Sequence, residues 1–383
     1  MVETEMSGLG PNERFIGVPG GRMSLSTPAL LLDLDMLDRN IAAMAAHAKK
    51  TGLALRPHSK GGKSIAIARK QVAAGAIGIC CATIGEAETI AGAGIENVLI
   101  TSPIVTPAMI DRLVALNGRA KGLLVVADNP VNVDALAAAC AKAGQTLSVL
   151  ADFDVGQGRT GTTSIEAAVA LAQRIQGSQA LRYAGVQGYY GHLQHVANFS
   201  ERKAAAEAQM SRLRTLLEHL KSQGLPATIV SGGGTGTFDI DPGGGVFTEV
   251  QAGSYPFMDR EYVEIDMSSS RSSPFTVSLY VQASVVSANR PGFAVVNAGY
   301  KSFATEGGMP IVASPRLANA SYKLMGDEHG GIQYDPAGGT LKIGDTVEFV
   351  TPHCDPTINL FDRYHCVRGD MLVDIWPVDA RGR

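Results

Sequence analysis

The chain of 383 residues is short of charge. Asp, Glu, Lys and Arg make up 18% of it, and 36 acidic against 33 basic residues leave a formal charge of −3. No basic excess is available for nucleic acid or an anionic membrane surface, so neither is expected as a partner. With 45% hydrophobic residues and so little charge, disorder is excluded as a class. The five cysteines, Cys80, Cys81, Cys140, Cys354 and Cys366, are odd in number, and none is spaced as CxxC. That excludes a disulfide framework and predicts reduced thiols in a cytoplasmic protein. Long apolar runs are missing too. The most apolar early stretch, Ala29 to Leu37, is broken by Asp33 and Asp35, and nothing approaches the ~18 residues of a membrane span. The first 25 residues carry Glu3, Glu5, Glu13 and Arg14 without an apolar core, so no secretory signal is expected. There is no internal repeat or low-complexity tract.

What the chain has in excess is glycine, 44 of 383 residues, which predicts many tight turns or close approaches of backbone to a ligand. The length is enough for two domains. After an opening strand near Ala29–Leu34 and a helix near Met36–Lys50, about eight short aliphatic runs alternate with helical patterns. The runs lie near Leu53–Pro57, Ile77–Cys80, Val98–Ile100, Leu123–Ala127, Leu147–Ala151, Gly185–Tyr189, Thr228–Val230 and Glu249–Gln251. Alternating β and α units imply a parallel sheet, and eight of them fit a (β/α)8 TIM-type barrel, with a doubly wound sheet as the competing architecture. After about Asp259 the rhythm changes to longer strands seldom followed by helices, which predicts a second, mainly β C-terminal domain. The barrel is placed over residues 27–260, and the β domain over 261–383 together with 1–26 and the strand near 29–34.

In a barrel, functional groups cluster at the C-terminal ends of the strands. The unusual motifs fall there: Arg56-Pro57-His58-Ser59-Lys60 after the first run, Asp154 to Arg159 after the fifth, Tyr189 to His195 after the sixth, Ser231 to Thr237 after the seventh, and Gly253-Ser254-Tyr255 after the eighth. The last two suit a phosphate, because successive glycines free N–H groups toward an anion and hydroxyls add donors. A dinucleotide fingerprint counted from Gly232 would need glycine at 237, where Thr237 stands, and the following residues FDIDPGGG do not read as a helix. Lys60, beside His58 and Arg56, is a candidate amine with a lowered pKa, and Lys63 competes with it. A phosphate cradle with a strand-end lysine points to pyridoxal phosphate. His353-Cys354-Asp355 follows the run Thr346–Val350. If that segment is extended, His353 and Asp355 share a side and suit Mn²⁺ or Mg²⁺, while Cys354 as a ligand would favour Zn²⁺.

The segments TPALLLDLD (27–35), RPHSK (56–60), GICCATIGEAE (78–88), DVGQGRTG (154–161), QGYYGHLQH (187–195), SGGGTGT (231–237), TEVQAGSYPFMD (248–259), DEHG (327–330) and HCDPTINLFD (353–362) together resemble fold-type III pyridoxal phosphate enzymes. These are the alanine racemase-like barrels, and the likeness is to their D-threonine aldolase branch, with a D-serine dehydratase-like C-terminal domain. The resemblance implies that Lys60 carries the cofactor, that Arg159 faces its pyridine nitrogen, and that Tyr189 lines its pocket. It implies His195 as the base toward the substrate hydroxyl, and phosphate contacts from Ser231, Gly233, Gly234, Thr235, Gly236, Ser254 and Tyr255. It implies His353 and Asp355 as ligands of a divalent cation and a homodimer as the assembly. The expected reaction is retro-aldol cleavage of D-3-hydroxy amino acids to glycine and an aldehyde. The alternatives are a 3-hydroxy-D-aspartate aldolase and a D-serine or 3-hydroxy-D-aspartate dehydratase; the related dehydratases carry H-x-C where this chain has H-x-D. Gly62, Ala82-Thr83 and His192 depart from the branch's usual residues.

Overall fold

The computed structural model describes residues 8–314, 317 and 319–382. Residues 1–7, 315, 316, 318 and 383, all assigned above to the β domain, lie outside the described residues. The chain divides into two compact units. One holds Ala42–Gly253 with Ile265–Ser273; the other holds the N-terminal residues through Ile41, Ser254–Glu264 and Pro274–Arg381.

Strand β1 (Ala29–Asp33) belongs to the second of these. In the first follow β2 (Ala54–Leu55), β3 (Cys80–Cys81), β4 (Leu99–Ile100), β5 (Leu124–Ala127), β6 (Leu147–Asp152), β7 (Leu181–Gly188), β8 (Ile229–Gly232) and β9 (Glu249–Val250). These eight strands pair in parallel in the order β2-β9-β8-β7-β6-β5-β4-β3. The ends meet as well: Ile77 N donates to Leu55 O at 2.9 Å, Cys80 N to Pro57 O at 2.8 Å and Ser59 N to Cys80 O at 2.8 Å. The sheet is therefore a closed (β/α)8-type barrel and not a doubly wound sheet. Six helices, from Ile65–Ala73 to Phe199–Ser222, fill the crossovers as far as β8, and a 3₁₀ turn at Asp241–Gly244 stands before β9. The glycine- and proline-containing sequence there does not sustain a longer helix. Helix entry follows local chemistry. Asn129 caps Pro130–Lys142 by accepting from Val131 N at 2.9 Å, leaving the neighbouring Asp128 to accept from Gly161 N at 3.1 Å.

The barrel strands are buried on both faces, which is why LVVA and LSVLAD read as nearly continuous apolar runs. Alternation sorts them. Leu99, Leu124, Val126 and Leu150 form one buried cluster with Cys80, while Val125, Ala127 and Val149 belong to another that includes helix residues. The next residue on the inner face of several strands is polar: Thr101 beyond Leu99, Asp152 beyond Leu150 and Ser231 beyond Ile229. An apolar layer is thus overlain, toward the C-terminal ends, by a polar one. Its anchor is the buried pair Arg56–Glu249, with Nε donating to Oε1 at 2.8 Å and Nη2 to Oε2 at 2.9 Å.

The other unit is built on a nine-stranded sheet. It adds β10 (Leu279–Arg290), β11 (Phe293–Val296), β12 (Ile311–Val312), β13 (Ser321–Leu324), β14 (Gly330–Gln333), β15 (Thr346–Val350), β16 (Arg363–Arg368) and β17 (Met371–Pro377). β1 lies between β10, antiparallel to it, and β16, parallel to it. The sequence reading had no strand at β12, β13, β14 or β16. β12 is only two residues long, β13 and β14 are four residues long and polar or glycine-bearing, and β16 begins and ends with arginine, so none carries a clear apolar alternation.

Replacing Arg56 by Met would leave the Glu249 carboxylate buried without its cation. The expected loss is about 3–5 kcal/mol of stability, read from denaturant unfolding of the variant against the parent. A change near zero would show that the pair does not hold the barrel interior together.

Candidate functional site

Within the barrel unit a cavity of about 190 Å³ opens among strand-end residues: His58, Lys60, Ala82, Thr101, Ser102, Arg159, Thr160, Gln187, Tyr189 and Gln251. Lys60, Arg159 and Tyr189 were expected there from the sequence. His58, Thr101, Thr160, Gln187 and Gln251 were not singled out for a role, although the inner-face period places Thr101 and marks polar strand ends generally. Thr101 Oγ1 donates to Cys81 O at 3.2 Å, so it accepts from His58 Nε2 at 2.9 Å, and the bare Nδ1 accepts from Lys60 N at 3.2 Å.

Burial separates the two lysines. Lys63 is buried, adopts φ of 46°, and its Nζ donates to Glu86 Oε1 at 2.6 Å; Glu86 Oε2 accepts from Ala82 N at 2.7 Å. Its cation is committed to a buried carboxylate. Lys60 is exposed and lines the cavity. Arg159 is exposed, with its guanidinium carbon 5.4 Å from the centroid of the Tyr189 ring, a cation–π arrangement that orients both. Of the departures from the branch pattern, Ala82 lines the cavity, Thr83 caps the helix Ile84–Gly92 by accepting from Glu86 N at 3.3 Å, and Gly62 is buried. His192 and His195 are exposed, on and just beyond the 3₁₀ turn Gly191–Leu193, and neither lines the cavity. The residues suit an aldehyde-bearing, aromatic, anionic cofactor: one amine at the cavity, a fixed cation, and neutral donors around them.

In the β unit, His353 is not part of an extended segment. It is the N-cap residue of a short helix, Cys354–Ile358, with Asp355 in the first turn, because Cys354 N is drawn to Asp259 Oδ2 at 2.7 Å. The reasoning that an extended backbone aligns His353 with Asp355 is thereby corrected. The side chains brought together are Asp259, Glu261 and His353, whose ligating atoms lie within 4.8 Å of one another. His353 Nδ1 is also 3.0 Å from Glu306 Oε1. Asp355 lies outside that trio, although its charge still raises Glu261. Burial is the largest cause of the rise in both the Asp259 and Glu261 carboxyls. Asp259 Oδ1 accepts from Tyr262 N at 3.2 Å and Oδ2 from Cys354 N at 2.7 Å, and the Cys354 side chain also bonds this carboxylate. Two carboxylates and an imidazole suit a divalent cation. Cys354 is fully buried, burial pushes its thiol far up, and its Sγ donates to Asp355 Oδ1 at 3.3 Å, so no thiolate is offered there.

The turn after β8 is held from within. Gly234 N donates to Thr237 Oγ1 at 3.2 Å, Gly236 N to Gln194 Oε1 at 2.8 Å, and Ser231 Oγ to Glu249 Oε1 at 2.7 Å. A Cβ on Gly236 would stand 1.9 Å from Gln194 O, so that glycine is demanded by packing. Gly233 takes φ of 64° and Thr235 is buried; none of Ser231, Gly233, Gly234, Thr235 or Gly236 is among the cavity-lining residues. Ser254 and Tyr255 are buried in the other unit, with the Tyr255 ring 5.7 Å from Phe275. Beneath the turn, fully buried Asp241 accepts from Tyr190 Oη at 2.5 Å and Thr237 Oγ1 at 2.9 Å. Burial pushes its carboxyl up to about 7, against the opposing pull of these donors. Between about pH 4 and that value the folded state keeps a proton the unfolded chain releases, so stability from this group is full below about pH 4 and is lost as pH rises toward 7. Asp241→Asn should remove that component. Unfolding curves across the range would show the parent losing stability relative to the variant, and parallel profiles would contradict the shift.

Residues 32–261 match the alanine racemase N-terminal domain, and 278–367 the putative serine dehydratase domain. The chain is 36% identical over 387 residues to a 3-hydroxy-D-aspartate aldolase of Paracoccus denitrificans, covering 100% of this chain and 99% of the relative. It is 37% identical over 366 residues to a D-threonine aldolase of an Arthrobacter species, covering 95% of each. A solved D-threonine aldolase from Filomicrobium marinum superposes with a TM-score of 0.90 at 37% identity, over 94% of this chain and 96% of that one. Those relatives are carbon–carbon lyases, and with the barrel closed as described the chain belongs to the alanine racemase N-terminal domain family, among the D-threonine and 3-hydroxy-D-aspartate aldolases.

Proposed function

We propose that the protein is a D-threonine aldolase dependent on pyridoxal phosphate and a divalent metal, cleaving D-3-hydroxy amino acids to glycine and an aldehyde. The observation that carries this reading is the division of labour between the lysines: Lys63 is tied into a buried ion pair, and Lys60 lines the cavity with Arg159 and Tyr189. Lys60 holds the cofactor through its amine. Bound there, pyridoxal phosphate supplies an electron sink for the electron pair left when the Cα–Cβ bond breaks. Arg159 would direct its guanidinium donors toward the cofactor's ring nitrogen and so hold that nitrogen as an acceptor. The Tyr189 ring lies under Arg159's cation and helps set its direction. His195, exposed just beyond the turn Gly191–Leu193, would take the hydroxyl proton at a ring nitrogen. The phosphate is assigned to the turn carrying Ser231, Gly233, Gly234, Thr235 and Gly236, with Ser254 and Tyr255; in that turn Ser231 Oγ, Gly234 N and Gly236 N already donate within the protein.

His353, with Asp355 from the sequence motif or with Asp259 and Glu261 from the observed cluster, would hold the metal. Oxygen and nitrogen donors without a thiolate favour Mn²⁺ or Mg²⁺ over Zn²⁺, and the ion would supply Lewis acidity toward an oxygen. Asp at 355 rather than Cys supports an aldolase over a dehydratase. A cytoplasmic homodimer completes the reading. A 3-hydroxy-D-aspartate aldolase is the second reading, supported by the full-length likeness to one.

Two experiments test this. Lys60→Ala should lose the borohydride-reducible visible band that Lys63→Ala retains; the reverse pattern would sink the assignment. Purified protein given D-threonine or 3-hydroxy-D-aspartate should release glycine, with acetaldehyde or glyoxylate respectively. Chelation should cut that rate by at least about 10²–10³ while leaving the visible band in place, and Mn²⁺ should restore it in the parent but not in His353→Ala. Undiminished cleavage by protein verified metal-free would make the His353 cluster structural, and release of ammonia with a 2-oxo acid would identify a dehydratase.

A further inference from the structure

Arg159 sits in the loop between β6 and the helix Ile165–Gln176, and three carboxylates hold that loop. Asp154 accepts from Gly156 N at 2.9 Å and Gly158 N at 3.1 Å, and Asp128 accepts from Gly161 N at 3.1 Å. Asp152 is different in kind. It lies on the inner face of β6, is buried, and accepts from Thr160 Oγ1 at 2.8 Å on Oδ2 and from Gln187 Nε2 at 2.9 Å on Oδ1. Thr160 is the chain neighbour of Arg159, and both line the cavity with Gln187. The backbone closes the loop beneath: Thr162 N donates to Asp152 O at 2.9 Å and Asp154 N to Thr162 O at 3.0 Å.

The donors leave one direction for every bond onward. Gln187 spends its amide N–H groups on Asp152 and on Thr101 O at 3.2 Å, so its oxygen accepts from Gln251 Nε2 at 3.1 Å. The same Gln251 nitrogen donates to Ser231 Oγ at 2.9 Å, and Ser231 donates to Glu249, the partner of Arg56. A single chain of oriented bonds therefore runs from Thr160 through Asp152 to the buried ion pair. Burial pushes the Asp152 carboxyl up to about 6, opposed by its two donors and by the charge of Arg159.

We infer that Asp152 is a positioning residue for Arg159: by holding the Thr160 hydroxyl it locks the loop to the barrel interior and so fixes where the guanidinium stands. The inference rests on the cofactor reading of the cavity given above. Its chemistry is a tether and needs no contact between Asp152 and the cofactor.

The test uses the full chain stripped of cofactor and titrated with pyridoxal phosphate. Thr160→Val keeps the shape and removes the donor; Thr160→Ala repeats the loss should the valine variant not fold. Either should weaken cofactor binding, shift the visible band and lower kcat by about 10²-fold, the usual cost of misplacing a reacting group by an ångström, while the melting temperature of the cofactor-free protein stays near the parent's. Thr160→Ser should restore binding, band and rate. Parental band, affinity and rate in Thr160→Val, or a serine variant as impaired as the valine one, would overturn the inference alone. A parent that forms no Lys60-dependent band would instead overturn the cofactor reading and the inference with it.

Discussion

The barrel interior depends on one buried ion pair, Arg56 with Glu249. Neither charge can be taken from water without the other, and the desolvation of each is compensated only by their bidentate contact and the extra bonds around it. Those extra bonds are the polar layer itself. Arg56 also donates to Asn97 O, and Glu249 also accepts from Ser231. Through Ser231, Gln251 and Gln187 the pair orients side chains on β7, β8 and beyond β9. A carboxylate at each end, Glu249 and Asp152, makes every donor between them point outward from the middle. Such a fully satisfied network specifies one arrangement, because reversing any amide would leave a buried donor facing a donor.

Burial also decides which chemically able side chains are available. Two lysines stand three residues apart, and only the one whose charge is not consumed by Glu86 lines the cavity. Cys80 and Cys81 lie on the same sheet but are fully buried, and desolvation raises both thiols, Cys81 to about 12, so neither offers a nucleophile. In the β unit the fully buried Cys354 is likewise kept as a thiol, while His353 and Glu261 remain partly exposed. The residue types at a motif set what is possible, and the local dielectric selects among them.

The architecture was legible because parallel strands buried on both faces announce themselves as short aliphatic runs, and the positions near Leu124 to Ala127 and Leu147 to Asp152 stand within a residue or two of where they were read. The short β-unit strands were not legible. β12 has two residues and its identity comes entirely from pairing with β15. Sites divided in the same way. Lys60 was readable from its strand end. Asp152 and Asp241 were not, because an aspartate at a strand end or in a glycine-rich turn looks like a solvated turn residue until its burial is known. The cluster around His353 shows the limit most clearly. His353 and Asp355 stand two positions apart in the motif, but the observed partners of His353, Asp259 and Glu261, are more than ninety positions away and meet it only because Asp259 caps one short helix and accepts from the first N–H of another.

The glycine turn carries the same lesson in the opposite sense. SGGGTGT was read as a row of free donors, yet Gly234 and Gly236 donate to Thr237 and Gln194. Gly236 is glycine because Gln194 O occupies the space of a Cβ, and Gly234 because the Gln194 amide does. That close approach ties the segment that follows β7 to the one that follows β8. The ring of His195, next in sequence to Gln194, is therefore held near a fixed backbone even though the side chain is exposed. Gln194 gains its fixed orientation by donating to Thr237 while accepting from Gly236, and Thr237 in turn donates to Asp241. The glycines serve the rigidity of two loops before they serve any ligand.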